Sequence, residues 1–219
     1  MGWAALTSGG KDSVLAAQIA LDRGLDLRYL VTFRPENPFS YMFHASNLDA
    51  VRLIAQVSGL GYVEFPTPGI KEAELEDLER GLSGLDIGGI ITGAVESEYQ
   101  MRRIGAIADR LSLEVFSPLW QMDPAALLEQ VAERLDAIIV VTAADGLDES
   151  FLGQRIDRSM IVRLKEAAVK HRIHLAGEGG EYETLTLNAP FYRRPIRYSG
   201  AVVQRGSGRS EIVLKGLSA

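Results

Sequence analysis

Short apolar runs alternate with helix-period segments along the first two-thirds of the chain, at the spacing of βαβ units. Trp3 to Thr7 reads as a strand running into Ser8-Gly9-Gly10, and a helix follows from about Asp12 to Arg23, with Leu15, Ile19 and Leu21 apolar and Gly24 as its C′ residue. Leu27 to Phe33 is a second strand. Arg34 to Ala45, rich in proline and aromatic rings, is a loop, and Ser46-Asn47-Leu48-Asp49 starts the next helix with a capping-box pattern. Tyr62 to Phe65 is a third strand, Lys71 to Leu82 a charged helix, and Gly89 to Thr92 a fourth strand. An amphipathic helix over Ser97 to Leu111 precedes a strand at Leu113 to Phe116. Asp123-Pro124 places an N-cap and a first-turn proline at the head of another helix, and Asp136 to Thr142 closes the series.

This alternation predicts an α/β fold, a mainly parallel sheet with helices on both faces. Beyond Ala143 the pattern changes. A helix over Asp157 to His171 gives way to the glycine- and glutamate-rich run from Gly177, then to strands at Thr184 to Leu187, Arg197 to Gln204 and Glu211 to Leu214. We therefore expect a nucleotide-binding domain at residues 1–144 and a small C-terminal α+β subdomain at 145–219 for substrate recognition.

Composition narrows the function. At 219 residues, 47% hydrophobic and 24% charged, the chain reads as globular, with no apolar run near the length a membrane span needs. The absence of cysteine excludes disulfides, thiolate zinc sites and persulfide chemistry. A net charge of −6 opposes an extensive nucleic-acid face. A cytoplasmic location is expected, and a homodimer stays open.

The candidate chemistry begins at Ser8-Gly9-Gly10-Lys11-Asp12-Ser13, between a predicted strand and a predicted helix. Its glycines let main-chain N–H groups converge on an anion, and the helix N-terminus adds free donors. Thr7, Ser8 and Ser13 offer hydroxyls, Lys11 a point cation, and Asp12 a carboxylate for Mg2+. The string lacks the spacing of a Walker A loop. It resembles the loop of the ATP pyrophosphatases, adenylating ligases that include GMP synthetase, asparagine synthetase and several tRNA-modifying enzymes. Thr32 and Phe33 at one strand end and Gly93 at another are placed to border adenine or ribose.

Further stretches carry a narrower resemblance: Phe43-His44, the run Gly93 to Arg103, Pro118-Leu119-Trp120, and Gly177-Glu178-Gly179-Gly180-Glu181-Tyr182-Glu183-Thr184-Leu185. Together with the phosphate loop, they resemble the diphthine–ammonia ligase family, within the adenine nucleotide alpha hydrolase-like, Rossmann-like PP-loop fold. The resemblance implies ATP with Mg2+ as cofactors, diphthine-bearing translation elongation factor two as protein substrate, and ammonium as nitrogen donor. It implies adenylation of the diphthine carboxylate, then displacement of AMP by ammonia, in a source where diphthamide occurs, archaea before eukaryotes.

For the substrate side, the resemblance implies roles for His44, Gln100, Arg103 and the run Glu178, Gly179, Gly180, Glu181, Tyr182, Glu183, Thr184. Gln100 and Arg103 share a helix face beyond a strand end; Ser97-x-x-Gln100 reads equally as a capping box, while Arg103, otherwise a surface cation, is expected with Lys11 and Asp12 among the catalytic residues, holding a phosphate or the acyl-adenylate. Glutamates this dense call for a cation, which a trimethylammonium group supplies, with Tyr182 offering a ring face. Glu183 shares strand parity with Leu185 and is expected to need a partner, and Trp120 is expected in the core. Two rival readings are a PP-loop tRNA-modifying ligase and a non-enzymatic ATP-binding protein.

Overall fold

The computed structural model describes residues 1–35, 48–68 and 73–219, with the main chain alone for Pro35, Ala73 and Glu74. Five parallel strands, β1 (Trp3–Leu6), β2 (Leu27–Pro35), β3 (Gly61–Thr67), β4 (Gly89–Ile91) and β5 (Glu114–Phe116), form one sheet in the order β3-β2-β1-β4-β5. Successive residues of a strand point to opposite faces, and this divides the packing. Ala4, Val31 and Ile90 pack with α3 (Ala73–Ser83) and α4 (Glu98–Leu111), while Ala5, Leu30 and Ile91 pack with α1 (Lys11–Asp22) and α2 (Asp49–Ser58). Both faces are covered, as near-continuous apolar parallel strands require.

A second, antiparallel sheet joins β6 (Asp136–Thr142), β7 (Tyr182–Asn188), β8 (Gly200–Gly206) and β9 (Arg209–Lys215) in the order β7-β6-β9-β8. Beside it pack α5 (Pro124–Arg134) and α6 (Arg158–His171). Helix α1 touches the parallel sheet on one side and β7 and α5 on the other, so one buried cluster runs through both halves.

Strand β6 departs from the sequence reading, which has it close the parallel series: it pairs antiparallel with β7 and β9. Its run Ala137–Val141 is buried throughout. Such a run marks a central strand but carries no information about the direction of its neighbours. The core residue of the 118–120 stretch is also displaced by one: Leu119 is fully buried and Trp120 only half-buried.

Local rules hold at the helix ends. The hydroxyl of Ser97 accepts from the Gln100 N–H, the Asp123 carboxylate accepts from the Ala126 N–H ahead of Pro124, and Gly24 takes φ +78° just after α1. Among the described residues no helix is long and apolar enough to cross a membrane.

Candidate active site

In the order β3-β2-β1-β4-β5 the chain reverses direction of growth between β1 and β4, and ligands bind at such switch points, beyond the carboxyl ends of the strands. The loop from Ser8 to Ser13 leaves β1 there, and Gly93 leaves β4 beside it. A cleft of about 560 Å³ opens at this point.

The loop is held by its neighbours. Gly9 adopts φ +80°, a conformation open to glycine at little cost, and donates its N–H to Thr7 Oγ1 at 2.9 Å. Thr7 and Ser13 share a hydroxyl hydrogen bond of 2.8 Å, and Thr32 Oγ1 donates to the Thr7 carbonyl at 2.8 Å. Strand β7 is stapled to the same loop: the Thr186 N–H donates to the Gly9 carbonyl at 2.9 Å, and the Lys11 N–H donates to Thr184 Oγ1 at 2.9 Å. Gly10 caps α1 without a side-chain hydrogen bond, leaving the positive end of the helix facing the cleft.

Lys11 is 3% exposed. Its ammonium donates to Asp12 Oδ2 and to the Ala176 carbonyl, each at 2.7 Å, and lies 5.4 Å from the centre of the Tyr182 ring. The other oxygen, Asp12 Oδ1, is buried with no hydrogen-bond partner. An orphaned carboxylate oxygen at the helix head fits a hard cation, which takes oxygen ligands. No cluster of three or more metal-ligating side chains occurs among the described residues. Asp12 Oδ1 is the oxygen at this helix head that would take a Mg2+ ion.

The opposite wall is the run from Gly177 to Thr184. Glu178 faces the cleft, and burial, followed by the nearby Asp12 carboxylate, pushes its pKa up, against the opposing pull of the Lys11 ammonium and the Glu96 N–H. Tyr182 is buried, its phenol donates to the Leu175 carbonyl at 2.9 Å, and burial pushes its pKa well above the ordinary phenol value. Its ring faces Lys11.

Comparison with known proteins adds the family. Residues 1–115 match the diphthamide synthase N-terminal domain, and residues 123–205 match the diphthamide synthase C-terminal domain. The chain belongs to the diphthamide synthase family. It is 33% identical to a diphthine–ammonia ligase of Danio rerio, over 87% of this chain and 84% of that one. It is likewise 33% identical to the diphthine–ammonia ligase of Homo sapiens, over 88% and 81% of the two chains. Membership makes the chain an enzyme, an ATP-using ligase. In fold it is similar to a predicted subunit of tRNA methyltransferase from Methanocaldococcus jannaschii, with a TM-score of 0.51 at 15% identity, covering 87% of this chain and 98% of that one.

The structure brings most of the residues singled out in the sequence to this cleft and sets others apart. Thr7, Ser8, Gly10, Lys11, Asp12, Ser13, Phe33, Gly93, Gln100, Glu178, Gly179, Gly180, Tyr182, Glu183 and Thr184 line it. Thr32 and Gly9 act behind the wall through the bonds above. Arg103 is not part of the lining; its guanidinium stacks 3.6 Å from the centre of the Tyr99 ring, one helical turn earlier. Glu183 has the partner expected for it, Arg209 on β9 at 3.1 Å. His44 lies outside the described residues.

Glu181 is also turned away from the lining. Its two oxygens accept main-chain N–H groups, from His174 at 2.7 Å and from Gly179 at 2.8 Å, so its charge is spent on shaping the loop. Charge-assisted bonds of this kind are worth about 1.5–3 kcal/mol each. Replacing Glu181 with glutamine leaves one of the two N–H groups opposed by an amide donor. We expect the urea midpoint to fall by an amount equivalent to about 1–3 kcal/mol; an unchanged midpoint would return Glu181 to the substrate.

Three groups at the site carry no role in the sequence pattern: His174, Glu96 and the Ala176 carbonyl. His174 Nδ1 accepts from the Ala176 and Glu178 N–H groups at 3.2 and 3.3 Å, and its Nε2 lies 3.4 Å from Glu96 Oε1. The available signal was positional: a histidine just ahead of a glycine-rich run, where exposed main-chain donors need acceptors.

Proposed function

We propose that the cleft joins ammonia to the carboxylate of diphthine on translation elongation factor two, at the expense of ATP split to AMP and pyrophosphate. One observation carries the reading: the phosphate loop and the acidic glycine-rich run are two walls of a single cleft. A nucleotide and a cationic substrate are thereby offered one meeting place.

In this reading the triphosphate lies along the loop amides and the head of α1, with Lys11 and the Ser8 and Ser13 hydroxyls as further donors. Adenine takes the apolar end formed by Leu6, Val31, Phe33 and Ile104. A diphthine carboxylate oxygen attacks the α-phosphorus, and the bond to pyrophosphate breaks. Ammonia then adds to the acyl carbon, loses a proton, and the carbon–oxygen bond to AMP breaks, leaving the amide. Mg2+ on Asp12 would supply neutralisation of phosphate charge. The chain contributes mainly position and charge, the principal demands of displacement at phosphorus.

Glu178 favours the trimethylammonium side of diphthine as its ligand. A carboxyl whose folded-state pKa is raised adds stability below its unfolded pKa, and that contribution is lost as pH rises through the folded value. Ionised Glu178 is thus a liability in the free enzyme near neutrality, relieved by a bound cation. Replacing Glu178 with glutamine should raise the melting temperature at about pH 7, with the gain disappearing below about pH 4. The same variant should bind the modified factor more weakly. A variant no more stable than wild type, with unchanged affinity, would remove Glu178 from the substrate site.

The reading as a whole is tested by incubating the protein with ATP, Mg2+, ammonium and diphthine-bearing elongation factor two. AMP, pyrophosphate and an amidated factor are expected. ADP, or AMP formed equally well with tRNA in place of the factor, would overturn it.

A further inference from the structure

We propose that His174 is a positioning residue for this reaction: as a neutral imidazole it sets the resting place of the Lys11 ammonium and of the Glu178 carboxylate. The inference deepens the amide-ligase reading and rests on it for the activity measurements.

Four hydrogen bonds of the loop after α6 run through this one residue. Its Nδ1 takes the N–H groups of Ala176 and Glu178, its own N–H donates to Glu181 Oε1, and its carbonyl accepts from the Gly177 N–H at 3.0 Å. An Nδ1 that accepts two N–H donors carries no proton, so the imidazole proton sits on Nε2, toward Glu96. Glu96 belongs to the segment between β4 and α4, just past Gly93, and its main-chain N–H lies close enough to Glu178 to favour the charged form of that carboxylate. One contact therefore ties the carboxyl end of the parallel sheet to the loop that precedes β7.

The consequence reaches the reacting groups through two short paths. The Ala176 N–H lies in the peptide plane of the Leu175 carbonyl, which accepts from the Tyr182 phenol at 2.9 Å, and it adjoins the next plane, whose Ala176 carbonyl accepts from Lys11 Nζ at 2.7 Å. Fixing the Glu178 N–H holds that residue's carboxylate on the cleft wall. Neither the loop amides from Ser8 to Ser13 nor the apolar end of the cleft depends on His174. Loss of the imidazole should then disturb the chemical step far more than nucleotide binding. A misplacement of about 1 Å costs on the order of a hundredfold in rate.

Asparagine and glutamine separate this role from bulk or folding. The asparagine amide oxygen can stand near the Nδ1 position and accept the two N–H groups, whereas the longer glutamine amide reaches toward the Nε2 position. With the wild-type protein first shown to form AMP, His174→Ala should lower kcat about 10–100-fold while the ATP Kd changes by less than about threefold. His174→Asn should recover most of that loss, and His174→Gln should not. Should the alanine variant fail to fold, the asparagine–glutamine contrast at equal folded fraction decides alone. A wild-type kcat in His174→Ala, or equal kcat in the asparagine and glutamine variants, would overturn the proposal. Nitrogen NMR of the wild-type imidazole gives a readout independent of activity: a proton on Nε2 is expected, and a proton on Nδ1 would contradict it. Failure of the wild type to form AMP would instead strike the amide-ligase reading and leave the NMR result standing.

Discussion

Replacing Lys11 with alanine should reduce AMP formation by about two to three orders of magnitude, the usual loss when one preorganised donor to developing charge is removed. Three groups are built around this ammonium: Asp12 Oδ2, the Ala176 carbonyl and the Tyr182 ring. Nothing else in the phosphate loop supplies a full positive charge. Removal also leaves the Asp12 carboxylate facing Glu178 with no compensating cation, and the Ala176 carbonyl without its donor. The fold should lose about 1–3 kcal/mol, a cost moderated because Asp12 keeps some contact with solvent, its side chain being 25% exposed. Lys11→Met preserves the aliphatic stem and isolates the charge. Single-turnover measurement of AMP at saturating ATP checks the prediction, and a rate within about threefold of wild type would exclude Lys11 from the reaction.

Gly93→Ala should be nearly as damaging, for a steric reason. A Cβ at Gly93 would lie 2.6 Å from the Ser13 nitrogen and 2.7 Å from the Asp12 carbonyl carbon. These are main-chain atoms of the phosphate loop and the first turn of α1, so no side chain can swing aside. Gly93 is required by close approach, since its φ is not among the positive ones. Separating the end of β4 from the loop should cost about 1–3 kcal/mol of stability and weaken ATP binding more than tenfold, a loss of at least about 1.4 kcal/mol. Gly105→Ala is the control: its Cβ meets nothing within 4 Å on α4, and the helix should gain about 0.5–1 kcal/mol. Calorimetric titration with ATP, with thermal melts of both variants, gives the comparison. Equal ATP affinity in Gly93→Ala and wild type would show that the loop tolerates displacement.

The place of the Ser8–Ser13 loop between β1 and α1, at the cleft, was legible because it is written in consecutive residues: a strand, glycines, a cation and a helix start. The position of Gly93 on the cleft was legible through the switch-point rule, which needs only the order of elements. The direction of β6 was not, because an apolar central strand looks alike in either sheet. Nor does the run Gly177 to Thr184 announce which carboxylate serves which purpose. Glu178 and Glu181 are three residues apart in a common motif, yet one faces the cleft and the other is consumed by two main-chain N–H groups. That division is set by the turn of the loop, through the αL glycines Gly177 and Gly180 at φ +78° and +81°. Arg103 shows the same gap on a helix. Its spacing from Gln100 suggested a common ligand, while its spacing from Tyr99 fits equally the stacking that is observed. No role for His174 was legible, because its partners are the main-chain donors of Ala176 and Glu178, which have no letter in the sequence.

We propose that the diphthine carboxylate itself attacks the α-phosphorus of ATP. It is tested most directly by carrying heavy oxygen in the diphthine carboxylate through one turnover and weighing the products. The account predicts one heavy oxygen in AMP and none in pyrophosphate, because the carboxylate oxygen forms the bond to phosphorus and leaves with it when ammonia enters. Heavy oxygen in inorganic phosphate alongside ADP, or unlabelled AMP beside an amidated factor, would contradict it.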